Sequence, residues 1–262
     1  MVMDNNGLFI TGTDTGVGKT VITVGLLGAL RRRGINAMAI KPIQSGGILR
    51  ENQLVSEDAN FYGAVTDLPY TSRELNPICL QAPLAPAVAA EVEGVTINLE
   101  TMLEHFRGIS ADHQLTIVEG AGGLIVPLVG TGETVADLAV SMGLPLLVVA
   151  RPNLGTINHT CLTVAYAKAR GLKVAGIIIN MYDHQNPGVA ERTNPGLIET
   201  MTGVPILGLV PRVEGLTVEG ENPQPGDLIS VIEKYVNIDQ LLIDIRYSIF
   251  ELRTTNHEKE LS

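Results

Sequence analysis

The sequence predicts an α/β fold, a doubly wound and mostly parallel sheet flanked by helices. Three observations predict it. Short apolar runs alternate with helical patterns from end to end. Most of those runs are continuous Val/Ile/Leu stretches without in/out alternation, as expected of strands covered on both faces. Glycines stand where helical patterns give way to strands, the ordinary helix stop. A βαβα order of this kind builds a parallel sheet whose ligands sit beyond the carboxyl ends of the strands.

The elements follow in order. The strand Leu8–Thr11 runs into a glycine-rich turn and then a helical pattern over 19–33. Gly34 ends that helix, and Arg31, Arg32 and Arg33 set cations at the negative pole of its dipole. The second strand is Ala37–Lys41. Helical patterns at 56–64, 84–92 and 98–107 lead to the strand Leu115–Glu119. The pattern over 134–142 leads to Pro145–Ala150, that over 157–170 to Val174–Asn180, and that over 191–202 to Ile206–Val210. Gly143, Gly171 and Gly203 repeat the stop of Gly34, and a last helix covers 226–236. Residues 66–82 form the longest irregular stretch and read as a lid or an interface loop. With no internal repeat and no low-complexity linker, residues 1–236 read as one domain. Residues 237–262 read as a C-terminal extension, partly flexible, with an apolar patch at Leu241, Leu242 and Ile243 and a frayed polar tail, Thr254–Ser262.

Composition narrows the function classes. The chain has 262 residues, 45% of them hydrophobic, enough for a sizeable core. A net charge of −10 with no basic patch argues against a nucleic-acid partner. Cys79 and Cys161 are too few for a disulfide framework or a zinc site. The start Met-Val-Met-Asp-Asn-Asn-Gly lacks the charged and apolar regions of a secretory leader, and the apolar run Leu144–Ala150 is too short to span a bilayer. A cytoplasmic protein without a membrane partner is the expectation.

Residues 12–20 read Gly-Thr-Asp-Thr-Gly-Val-Gly-Lys-Thr, between the first strand and the first helix. Glycines let the backbone wrap so that several N–H groups point at one phosphate, and the helix that follows offers its positive end to the same anion. Lys19 supplies a mobile charge for the outer phosphates, and the Thr20 hydroxyl suits Mg²⁺. The commonest form of this loop has four residues between its first glycine and the Gly-Lys pair; here five separate Gly12 from Gly18. The strand–turn–helix context makes it a nucleotide site.

Strand ends supply the other candidates. Lys41 opens Lys-Pro-Ile-Gln-Ser-Gly, which sets Lys41 and Ser45 at the mouth of the phosphate site; a solvated lysine explains Lys41 as well. Glu57 and Asp58 follow Ser56, a candidate helix cap, and two acids in a first turn are ordinary dipole complements. Asp58 matters because Mg²⁺ on a phosphate loop draws carboxylates from elsewhere. Glu119 ends an apolar strand and precedes Gly120-Ala121-Gly122, whose glycines permit close backbone approach to a ligand. Leu154-Gly155-Thr156-Ile157-Asn158-His159 opens a helix whose free N–H groups at 155–158 suit a carboxylate or a phosphate. A cap by Thr156 or Asn158 accounts for the same residues. Asn180 ends a strand, either as a turn residue or as a reader of a nucleobase edge.

Together these segments, in this order over residues 7–215, resemble the dethiobiotin synthetase family, whose fold is P-loop NTPase-like. The resemblance implies ATP and Mg²⁺ as cofactors. Gly16, Val17, Gly18, Lys19, Thr20 and Val21 would hold the ATP phosphates, with Gly120, Ala121 and Gly122 beside them. Thr20, Asp58 and Glu119 would hold Mg²⁺. Lys41 would be the catalytic lysine assisted by Lys19, with Thr15 and Ser45 on the substrate side. Asn180, Pro211, Arg212 and Val213 would contact adenine. The implied reaction converts 7,8-diaminononanoate, CO₂ and ATP to a cyclic urea through a carbamate and a carbamic–phosphoric anhydride. It implies a homodimer in which Gly155, Thr156, Ile157 and Asn158 receive the substrate carboxylate across the interface. Gly16 stands where relatives often carry glutamate, and Arg212 replaces an apolar or aromatic residue.

Rival families read less well. A dimeric ATPase switch of the partitioning or nitrogenase-reductase kind carries an additional lysine five positions before the conserved one, where this chain has Asp14. A cobyrinate-type amide ligase brings a glutamine-hydrolysing domain with a nucleophilic cysteine, which neither the length nor Cys161 supports. A regulatory domain that merely keeps the fold has no need of Lys41, Asp58 and Glu119 together.

Overall fold

A computed structural model describes residues 7–63, 65, 70–220 and 222–245. Part of the expected lid, residues 66–69, and the polar tail Thr254–Ser262 lie outside the described residues. The chain begins with β1 (Gly7–Gly12), buried along its whole length, and passes through the glycine-rich turn into α1 (Lys19–Arg32). After β2 (Ala37–Ile40) come β3 (Ile43–Ser45) and a hairpin of β4 (Ile48–Arg50) and β5 (Gln53–Val55). α2 (Glu57–Gly63), α3 (Ser72–Leu75), β6 (Ile78–Leu80), α4 (Pro86–Glu93) and α5 (Leu99–Ala111) follow. β7 (Leu115–Glu119) leads to a second hairpin, β8 (Pro127–Val129) with β9 (Glu133–Thr134), and to α6 (Val135–Met142). The remaining elements are β10 (Leu146–Ala150), α7 (Thr156–Ala169), β11 (Val174–Asn180), α8 (Val189–Thr202), β12 (Ile206–Val210), α9 (Leu228–Tyr235) and α10 (Ile238–Asp244).

Six strands form one parallel sheet in the order β12-β11-β10-β1-β7-β2. Their residues are almost all buried, which is why the sequence shows apolar runs rather than alternation. β1 is central, with β7 on one side and β10 on the other, so the sheet winds both ways from it. That switch point places the crevice at the carboxyl ends of β1, β7 and β2. The four glycine stops, Gly34, Gly143, Gly171 and Gly203, all have φ between 65° and 81°.

Short ladders decorate the sheet. β3 pairs with β6 in parallel and puts Ser45 opposite Leu80. The β4–β5 hairpin turns through Glu51 and Asn52, both at positive φ, as a two-residue turn of the primed kind requires. Residues 237–245, placed by sequence in the extension, carry α10. Its Ile238, Leu241 and Leu242, at the i, i+3, i+4 spacing of one helix face, are buried in the same core as the sheet. Among the described residues no helix is long and apolar enough to cross a membrane.

Candidate active site

The glycine-rich turn is held by side chains from three places. Asp14 Oδ1 accepts the Thr15 N–H at 2.7 Å, Arg151 Nη2 donates to the Thr15 carbonyl at 2.8 Å, and Asn180 Nδ2 donates to the Val17 carbonyl at 3.0 Å. Gly18, the residue before α1, has φ 89°, and any Cβ there would collide with Asn180 Nδ2. Val17 is fully buried, so its side chain anchors the turn and only its backbone is available to a ligand. Lys19 arches back over the turn, with Nζ 3.4 Å from the Asp14 carbonyl.

The second half of the site is assembled by the sheet. β7 lies between β1 and β2, with Glu119 in register with Ile10 and Val118 with Ile40, so the ends of the three strands converge. Lys41 follows β2 directly, and its main chain is tied on both sides: its N–H donates to the Leu75 carbonyl at 2.9 Å, and its carbonyl accepts Asn76 Nδ2 at 2.5 Å. Its Nζ donates to Asp58 Oδ2 and, at 3.0 Å, to Glu119 Oε1. Glu119 Oε1 also accepts the Thr20 hydroxyl at 2.9 Å, and Glu119 Oε2 accepts the Tyr62 hydroxyl at 2.6 Å. Asp58 and Tyr62 are one helical turn apart on α2, whose first turn is capped by Ser56 Oγ accepting the Ala59 N–H at 3.0 Å. Glu57, by contrast, ion-pairs with Arg50 at 3.2 Å and accepts the Gly220 N–H, so it belongs to the scaffold.

The two lysines are tuned apart. Burial, with the neighbouring Lys41 charge, lowers the pKa of Lys19, an effect only partly offset by Glu119, Asp58 and Asp14. Burial also works against the charge on Lys41, but Glu119 and Asp58 outweigh it and hold its pKa above the ordinary lysine value. Burial and the same carboxylates push the Tyr62 phenol well up, so it stays a donor.

A cleft of about 940 Å³ unites most of the predicted residues. Its phosphate side is lined by Thr15, Gly16, Gly18, Lys19, Thr20 and Val21. Lys41, Ser45, Asp58, Glu119, Ala121 and Gly122 line the rest of the predicted set, joined by residues the sequence did not single out, among them Gln44, Pro83, Leu84 and Val126. Gly120 has a different role from the one expected. A Cβ there would meet Phe9 at 2.8 Å and Val135 at 3.1 Å, so close packing rather than ligand approach demands glycine.

Other predicted residues lie elsewhere. Arg212 lines a separate cavity of about 440 Å³ with Gly16, Arg151, Asn153, Met181 and Asp183, while Pro211 and Val213 lie beside it in the chain and are half-buried. Gly155, Thr156, Ile157 and Asn158 do not line the main cleft. Thr156 lines a 90 Å³ pocket across the turn, with Asp14, Arg151 and His159. Capping by Thr156 or Asn158 is not what is found there. Gly155 holds the cap position with no side-chain hydrogen bond, and the Thr156 hydroxyl lies 3.4 Å from that of Thr160 inside the helix. The Thr156 N–H donates to the Asn153 carbonyl at 3.2 Å, and the N–H groups of Ile157 and Asn158 keep the open anion-binding geometry.

Among the described residues no group of three or more His, Cys, Asp or Glu could hold a metal ion by itself. Mg²⁺ on phosphates needs less, since one or two carboxylates complete a shell of phosphate oxygens and water. The oxygen donors of Thr20, Asp58 and Glu119 fit that demand, and the Lys41 ammonium, held by both carboxylates at once, shows that one cation can be shared between them.

Comparison with known proteins agrees with this geometry. A family model described as an AAA domain matches residues 6–219. The ATP-dependent dethiobiotin synthetase BioD of Bacillus licheniformis is 41% identical over 236 residues, 90% of this chain and 95% of that protein. The protein of the same description from Bacillus subtilis (strain 168) is 40% identical, covering 90% and 97%, and that from Anaeromyxobacter sp. (strain K) is 45% identical, covering 78% and 89%. Among solved structures, the MinD cell division protein of Aquifex aeolicus superposes with a TM-score of 0.53 at 16% identity, covering 92% of this chain and 95% of that one. The septum site-determining protein MinD complexed with Mg-ADP from Pyrococcus horikoshii OT3 gives 0.52 at 17%, covering 87% and 95%. At such identities the structural likeness shows the P-loop fold alone.

Proposed function

The chain belongs to the ATP-dependent dethiobiotin synthetase family, ligases of biotin biosynthesis, and from that premise we propose that its main cleft closes the ureido ring of dethiobiotin. The substrates in this reading are 7,8-diaminononanoate, CO₂ and ATP. What carries it is the convergence of Lys19, Thr20, Lys41, Ser45, Asp58 and Glu119 on one cleft. A binding module needs the phosphate loop; it has no need of a second buried lysine set between two carboxylates.

The residues divide the work. The backbone of the turn 16–21 and the start of α1 cradle the ATP phosphates, while Lys19 follows the charge on the outer ones. Thr20, Asp58 and Glu119 would hold Mg²⁺, which when bound supplies charge neutralisation at the phosphate oxygens. One amine of the diamine adds to CO₂, losing a proton, to give a carbamate. A carbamate oxygen then takes the γ-phosphoryl group from ATP, releasing ADP. The second amine attacks the activated carbonyl, forming the ring C–N bond and expelling phosphate. Lys41 stands where charge builds on the transferring group, and its pKa above the ordinary lysine value keeps it cationic throughout. Ser45 and Thr15 line the substrate side of the cleft.

Asn180, with its neighbours at 211–213, would contact the base, and the Arg212 cavity beside Gly16 adjoins that region. The start of α7 would receive the substrate carboxylate of a second copy, which makes the working form a homodimer in the cytoplasm. A dimeric ATPase switch remains disfavoured by Asp14, whose place in the turn is taken by lysine in that class.

The test is direct. Purified protein supplied with ATP, MgCl₂, the diamine and labelled bicarbonate should place label in a cyclic urea with matching ADP release. ATP turnover without label in the ring would overturn the proposal.

A further inference from the structure

Gln44 sits at the centre of β3, between Ile43, which packs into the core, and Ser45, which reaches the cleft. The residue is only 9% exposed, and it lines the cleft together with Lys41, Ser45 and Asp58. Its orientation is set from α2. Ser56 Oγ accepts the Ala59 N–H, so its own proton goes to Gln44 Oε1. An amide carries its acceptor on one side and two donors on the other. With Oε1 engaged, Nε2 is left, and it has no hydrogen-bond partner among the described residues. That donor is open to the cleft, where an oxygen of a bound ligand can accept from it in place of water.

We infer that Gln44 is a substrate-contacting residue that donates an Nε2 hydrogen to an anionic oxygen on the reacting carbon, an assignment that rests on the ligase reading above. The ligand class is a carboxylate-type oxyanion, as in a carbamate, held beside Lys41 and Ser45. A neutral donor suits this place. Lys41 is shared with Asp58 and Glu119, and a further cation beside them would compete with the metal for those oxygens. A fixed amide instead orients the oxyanion through one directional bond without changing the charge of the site. The same bond chain ties that donor to the first turn of α2, and so to Asp58.

Two variants separate this contact from a merely structural tie. Gln44→Glu keeps an acceptor for Ser56 but replaces the donor with a second carboxylate oxygen. Gln44→Met keeps the length and has neither. Steady-state kinetics for the diamine and for ATP, binding of a non-hydrolysable ATP analogue and thermal melting are measured on each. The expected result for Gln44→Glu is a fall of about 10- to 100-fold in kcat/KM for the diamine. Its melting temperature, its KM for ATP and its analogue binding should match those of the native chain. Native-like diamine kinetics in Gln44→Glu, with the native chain active, overturn this assignment alone. Loss of fold in both variants overturns it too, because Gln44 then belongs to the scaffold. Failure of the native chain to label a cyclic urea overturns the ligase reading, and this assignment with it.

Discussion

At the ends of β1, β2 and β7 five side chains complete one another: Thr20 and Lys41 share one oxygen of Glu119, Lys41 reaches Asp58, and Tyr62 closes the other Glu119 oxygen. Across the turn, the start of α7 is more open. Gly155 provides no cap, Leu154 is 92% exposed, and Ile125 and Leu162 stand out at 65% and 61% beside the same turn. The difference follows from what each region buries. Charges out of water must be paired by the chain itself, so the phosphoryl corner is preorganised within one copy. A helix start in water carries no such demand. Leu154, Ile125 and Leu162 instead leave apolar surface exposed around the open N–H groups, the surface on which the proposed dimer would close.

The largest expected effect comes from breaking the finished corner. Lys41→Ala leaves Asp58 and Glu119 facing each other without their cation and removes the charge that, in the proposed mechanism, meets the developing transition state. The expected outcome is a fall in kcat/KM on the order of 10²–10³, with binding of a non-hydrolysable ATP analogue preserved. Single-turnover assays beside calorimetric titration of the analogue check it. Turnover at the native rate would remove Lys41 from the chemistry.

The open side is broken by Leu154→Asp. If a second copy completes the α7 start, one buried carboxylate per copy should dissociate the dimer, read by light scattering. KM for the diamine should rise about tenfold, while ATP affinity stays as in the native chain, because the phosphoryl corner lies within one copy. A monomeric native chain with full activity would show that the α7 start works alone.

How much of this was legible depends on the scale of each feature. The six sheet strands were readable because burial on both faces leaves continuous apolar runs, and all six fall within a residue or so of the predicted bounds. β3, β6 and the two hairpins were not, since two- or three-residue strands carry no periodicity, and Glu51-Asn52 lacks the glycine that usually announces such a turn. Lys19, Thr20, Lys41 and Glu119, which line one cleft, could be singled out because strand ends and a phosphate turn have local signatures. Tyr62, Gln44 and Arg151 were missed for the opposite reason. Their partners are Glu119, Ser56 and Thr15, between 12 and 136 residues away, and only the fold brings them together. For Tyr62 a faint signal existed, one helical turn after Asp58. Arg151 directly follows β10 and could have been suspected from that position alone, by the same rule that exposed Lys41.

The smallest effect tests whether the two regions are mechanically separate. Asp137, in the first turn of α6, accepts the Thr134 N–H at 2.8 Å and hydroxyl at 2.6 Å through Oδ2, and Arg170 Nη2 at 2.7 Å through Oδ1. Arg170 closes the far end of α7, so this bond ties down the helix whose start is open. Burial works against the carboxylate, but the hydrogen bonds from Thr134 and Arg170 outweigh it and draw its pKa down to about 2. A depressed carboxylate contributes stability above its unfolded pKa of about 3.9 and loses it as pH falls toward the folded value. Part of the acid destabilisation between about pH 4 and pH 2 should therefore belong to Asp137. Asp137→Asn should cost about 1 kcal/mol at pH 7, the usual worth of such a cap, and make the stability curve shallower across that window. Denaturant midpoints taken from pH 7 to pH 2 decide it: equal slopes for both proteins would remove the coupling. Because the bond lies a full helix length from residues 155–158, diamine kinetics at pH 7 should change by less than twofold. A larger change would mean that the open surface is set by the tension of its own helix rather than by the second copy that the proposed dimer would bring to it.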